Sequence, residues 1–89
     1  MREFTVDLSD ANSFEDFVRA FNVGFCHQVA GDWHGRSWDA FHDYLSWPPE
    51  LKYRLTFIGF EATSALSSED RRILREIFRD NPHVETNFS

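Results

Sequence analysis

Hydrophobic and polar positions alternate at the start of the chain, with Phe4, Val6 and Leu8 on one side and Glu3, Thr5 and Asp7 on the other. A period of two belongs to a strand with one buried face, so "REFTVDL" is read as the first strand. From Ser13 the period lengthens. Phe14, Phe17, Val18, Phe21 and Phe25 follow the i, i+3, i+4, i+7 spacing of a helix with one apolar stripe. Ser13 stands where an N-cap belongs, Asp16 follows three residues later as in a capping box, and Gly24 marks the end.

No period persists from Phe25 to Gly35, and the glycines at 31 and 35 point to a loop with special backbone angles. Ser37 then reads as a second N-cap. The helix it opens has Trp38, Phe41 and Leu45 as its apolar stripe and Asp39, His42 and Asp43 on the other side, and Pro48-Pro49 stops it. "KYRLTFIGF" is dense in β-branched and aromatic residues, the pattern of a strand covered on both faces. Glu61 to Leu66 is ambiguous, with room for one helical turn. A clearer helix starts at Ser67 or Ser68, with Ile73, Leu74, Ile77 and Phe78 inward and Arg71, Arg72, Arg75 and Arg79 on its solvated face. Asn81-Pro82 ends it, and Val84, Thr86 and Phe88 alternate in a last strand. The order β, α, loop, α, β, α, β predicts an α/β fold, a small three-stranded parallel sheet packed with helices, as a single domain over residues 1–89.

Composition agrees with one dense core, since 42% of the residues are hydrophobic and ten are Phe. Charge adds a direction. Residues 1–50 carry nine Asp/Glu against three Lys/Arg, while residues 51–89 carry six against six, so the whole net charge of −6 lies in the first half. A binder of nucleic acid or of an anionic membrane would show a basic patch; this chain is expected to meet neither directly, and to favour a basic partner. The single cysteine, Cys26, allows no intrachain disulfide and reads as a small buried hydrophobe. "MREFTVDLSD" lacks the apolar run of a signal peptide and no segment is long enough to span a bilayer, so a cytoplasmic location is expected.

Candidate chemistry is sparse. His27, His34, His42, Asp39 and Asp43 invite a metal reading, yet no histidines are paired at i, i+4, and neither a metal nor a cofactor is expected. Two carboxylates and a histidine on one helix could move protons, but nothing indicates a substrate pocket, and an enzyme is not expected. As a binding surface the same residues make more sense. Asp39 and Asp43 project from one helix face with Cβ atoms about 5–6 Å apart and repel by a few tenths of a kcal/mol. Asp43 also lies toward the helix C-terminus, where the dipole disfavours a negative charge. A solvated acidic face is the plain alternative. The flank tips the balance: Trp33 and His34 on the preceding loop can serve as aromatic anchors beside the acids, although a loop Trp can also simply cover the core. Trp47 and Tyr53 are assigned to packing.

"WHGRSWDAFHDYL" resembles the segment that marks the barstar family of intracellular ribonuclease inhibitors: an aromatic pair, a glycine, then a helix with an Asp-Ala pair and a second Asp four residues after the first. Length and element order agree over essentially the whole chain. The resemblance implies an inhibitor or immunity protein that presses its second helix and the preceding loop into the active site of a basic ribonuclease or nuclease toxin, mimicking substrate phosphate. It further implies Asp43 as the central anion, Asp39 at the site's edge, Trp33 as a stacking aromatic with His34 beside it, Gly35 permitting close approach, and Asp80 as a peripheral acid. The free protein is expected to be a monomer. Three positions depart from the best-known member, with Arg36, Ser37 and His42 in place of Glu, Asn and Trp. Arg36 would repel a uniformly basic enzyme, and a protonated His42 would partly cancel Asp43 and make affinity depend on pH. The alternative is an interaction or regulatory module on the same fold with a non-nuclease partner.

Overall fold

Three parallel strands lie side by side in sequence order, β1 (Arg2–Asp7), β2 (Tyr53–Ile58) and β3 (Val84–Phe88). Their register sets Glu3 beside Arg54 and Arg54 beside Glu85. Helix α1 (Phe14–Gly24), a single 3-10 turn (Cys26–Val29) and α2 (Trp38–Tyr44) fill the first crossover, and α3 (Ser68–Arg79) fills the second. The structure, a computed structural model, describes residues 1–89. It is the α/β fold the periodicities predict, an open three-stranded parallel sheet packed with helices. No helix is long and apolar enough to cross a membrane.

Monotonic strand order has a topological consequence. Two successive crossovers of the same hand, advancing in the same direction, put their helices on the same side of the sheet. Phe4, Val6, Tyr53, Leu55, Phe57 and Val84 are accordingly buried, whereas Glu3, Thr5, Asp7, Glu85 and Asn87 on the opposite face are exposed. The expectation that β2 is covered on both faces therefore fails: its burial alternates, and Ile58 is 39% exposed. Solvent at that face is met by an ion ladder, with Arg54 reaching Glu3 at 3.1 Å and Glu85 at 2.9 Å.

Local chemistry fixes the helix ends. The hydroxyl of Ser13 accepts the Asp16 N–H at 3.2 Å, but the Asp16 carboxylate turns to the N–H of Asn12 at 2.9 Å, one residue upstream of a reciprocal box. Ser67 and Asp70 complete the full box at α3. The ambiguous segment before α3 forms turns without a helix, and Arg71 explains how it is held. The Arg71 guanidinium donates to the carbonyls of Phe60, Glu61, Thr63 and Leu66, so this residue is a clamp on the connection and not part of the solvated face. Cys26 is fully buried, and desolvation pushes its thiol up to about 12, which keeps it protonated and unreactive.

Candidate protein-binding site

Helix α2 is short, seven residues, and its orientation is set from underneath. Phe41 is fully buried, stacked on Phe21 with ring centroids 4.3 Å apart and meeting Trp33 edge-on at 5.1 Å and Phe78 at 5.9 Å. Leu45 is fully buried beside it. At about 100° per residue, Asp43 then falls nearly opposite this anchored stripe. The Ser37 hydroxyl accepts the N–H groups of Asp39 and Ala40 at 3.1 and 3.4 Å, starting the helix where the sequence places the cap.

The loop ahead of α2 is pinned by a residue the periodicity does not reveal. Asn22, on α1 and nearly buried, donates to the Trp33 carbonyl and accepts the Trp33 N–H, both at 2.7 Å. The Trp33 indole N–H in turn donates to the Ser37 carbonyl at 3.0 Å. Asn22 sits on the helix face where a polar side chain would look solvated; its only sequence signal is a place between Phe21 and Gly24, beside the apolar stripe.

Trp33 is 2% exposed. Its ring packs on Phe14, Phe17, Phe21, Trp38 and Phe41, so it offers no face to a partner, and the role of exposed aromatic anchor read from the sequence is corrected to that of a core support for the start of α2. Gly35 is likewise fixed by internal needs. Its φ of +77° belongs to the left-handed region, and a Cβ there would lie 2.5 Å from the Val18 side chain. The other special angle falls on Ala30, with φ of 62°, one residue before Gly31, where it was expected.

The remaining predicted site residues are exposed. His34 projects from the loop with its Nδ1 3.9 Å from Asp32, whose other carboxylate oxygen lies 2.9 Å from His27. Asp39, His42 and Asp43, with Ser46, are the only lining of a shallow depression of about 290 Å3. Neither Asp39 nor Asp43 forms an ion pair within the chain. Asp80 lies apart from this depression, at the C-cap of α3, 3.9 Å from Arg79. The segment around it meets α2 at two places: Phe78 packs on Phe41, and in the turn after Asp80 His83 Nε2 meets the Leu45 carbonyl at 3.0 Å. No three His, Cys, Asp or Glu side chains are grouped as ligands for a metal ion.

Chemically, the site is a pair of solvated carboxylates on a rigidly seated helix, with the His42 imidazole beside them and His34 and Arg36 on the preceding loop. Such a surface can accept charge-assisted hydrogen bonds from cations that approach from outside. The family model described as Barstar (barnase inhibitor) matches residues 1–87. No curated protein and no solved structure matches the chain. On a match that spans almost the full length, the chain belongs to the barstar family, whose members are inhibitors and not enzymes.

Proposed function

We propose that this protein inhibits a basic ribonuclease or nuclease toxin by covering its active site with α2, Asp43 taking the place of a substrate phosphate and Asp39 meeting cations at the rim. One observation carries the reading: both carboxylates stand on the outer face of a helix whose underside is locked in the core, and neither has a cation of its own chain to neutralise it. A nuclease that binds RNA phosphates presents unpaired Arg, Lys and His groups in a cleft. Bringing the two sets together satisfies both, and complementary fields speed the encounter. His42 shares the depression with the two acids, and His34 stands beside Asp32 on the loop that precedes α2.

Arg36, exposed at the start of the same surface, narrows the partner. It calls for an acidic or neutral group on the nuclease opposite this one position. The test is steady-state inhibition of a panel of basic bacterial ribonucleases at several RNA concentrations. Active-site coverage gives inhibition that rising substrate competes away. Inhibition insensitive to substrate would contradict the mimicry, and a complex without inhibition would transfer the fold to an interaction module.

A further inference from the structure

The sequence places an aromatic anchor of the site at Trp33 and assigns Trp47 to packing; the structure buries Trp33 and leaves Trp47 partly open to solvent. Trp47 is 45% exposed, the largest exposed aromatic side chain of the molecule. It does not hang freely. Its ring lies against Tyr44 with centroids 4.7 Å apart, and the Tyr44 hydroxyl donates to the Asp32 carbonyl at 2.9 Å. Gly31 seats both rings: a Cβ there would fall 2.6 Å from Tyr44 Cε1 and 3.4 Å from Trp47 Cζ3. The pair is a fixed aromatic shelf with one side open.

Its position follows from how α2 ends. Beyond Tyr44 the chain tightens, with the N–H groups of Leu45, Ser46 and Trp47 bonding three residues back to His42, Asp43 and Tyr44. Side chains three apart then stand one above the other. Trp47 extends the column of Tyr44, and Ser46 extends the adjoining column of Asp43. With about three residues per turn the aromatic column stands roughly a third of a turn around from the column of Asp43 and Ser46.

We propose that the Tyr44–Trp47 shelf is a second recognition element of this surface, stacking the guanidinium of an arginine from the nuclease partner while Asp43 accepts its N–H groups. The chemistry selects arginine. A planar guanidinium lies flat on an aromatic face and still bonds a carboxylate in its own plane, whereas an ammonium is a point charge with a tightly held water shell. Charge complementarity supplies the occupant: the shelf carries no charge, its neighbour Asp43 is unpaired within the chain, and the partner proposed above is basic. This inference rests on the inhibitor reading.

The test compares the wild type with Trp47→Ala, Trp47→Phe and Asp43→Ala against a basic ribonuclease that the wild type inhibits. Trp47→Ala is expected to raise Kd roughly tenfold to thirtyfold through faster dissociation, with an unchanged urea midpoint, and Trp47→Phe to restore most of the loss. Arg→Lys scanning of the enzyme surface is then expected to find one position whose loss is non-additive with Trp47→Ala. Wild-type affinity in Trp47→Ala beside a large loss in Asp43→Ala would overturn the shelf and leave the inhibitor reading standing. Additivity at every enzyme arginine would overturn the stacked guanidinium. A wild type that inhibits no ribonuclease would overturn both readings.

Discussion

Helices α2 and α3 are both amphipathic and both carry acids on their outer face, yet they treat those acids in opposite ways. On α3, Glu69 and Glu76 flank Arg72, Glu61 meets Arg75, and Asp70 is held in the Ser67 capping box. On α2, Asp39 and Asp43 find no such partner. The difference teaches that charge content does not locate a binding surface. Exposed ion pairs contribute little to stability and are closed to outsiders, whereas unpaired acids that already repel each other gain from any cation brought to them.

The largest effect that sharpens this contrast is expected at Asp43. Asp43→Ala should weaken binding to an inhibited ribonuclease by about 4 kcal/mol, roughly a thousandfold in Kd, because the enzyme's buried cations lose their counter-charge. Its unfolding free energy should stay within about 0.5 kcal/mol of wild type, as urea denaturation would show. Next comes a contrast within α3 itself. Arg71→Met removes the donor that holds four carbonyls and should cost about 3 kcal/mol of stability, while Arg72→Met, which breaks only exposed pairs, should cost no more than about 1 kcal/mol. Equal losses at the two arginines would show that the clamp is no more than another surface pair.

The smallest effect is an acid one. The Asn12 N–H holds the Asp16 carboxyl below its usual range, the Ser9 hydroxyl does so for Asp7, and the Arg72 guanidinium for Glu69. Depressed carboxyls add stability that is complete above their unfolded values, about 4, and that is lost as pH falls through the lower folded values. The urea midpoint should therefore be flat from pH 7 to about pH 5 and decline below about pH 4, with a shallower decline in Asp16→Asn. An acid limb unchanged in that variant would remove Asp16 from the account.

Much of this was legible in the sequence because it is local. The caps at Ser13, Ser37 and Ser67 and the stripes of α1 and α3 depend on residues within two turns of one another. The acid face of α2 follows from the same periodicity. What could not be read depends on distant neighbours. Trp33 and Trp47 have similar loop surroundings in the chain, and what covers Trp33 comes largely from α1: Asn22 pins its backbone, and Phe14, Phe17 and Phe21 pack on its ring together with Phe41 of α2. Arg71 looks like its three neighbours until the connection from Phe60 to Leu66 is folded over it. The open sheet face follows from strand order, which composition does not encode: the apolar density of β2 suits a covered strand, but crossovers advancing in one direction leave one side bare.

The acids of α2, and not acidity in general, are expected to meet the partner, and two isosteric double variants with the same change in net charge test this most directly. Inhibition of one basic ribonuclease is measured for Asp39→Asn with Asp43→Asn, and separately for Glu69→Gln with Glu76→Gln. Loss of inhibition by roughly a hundredfold or more in the α2 pair, beside a change of no more than about threefold in the α3 pair, is the expected result. Similar losses from both pairs would mean that the protein acts through its overall negative field, and the α2 surface would lose its special role.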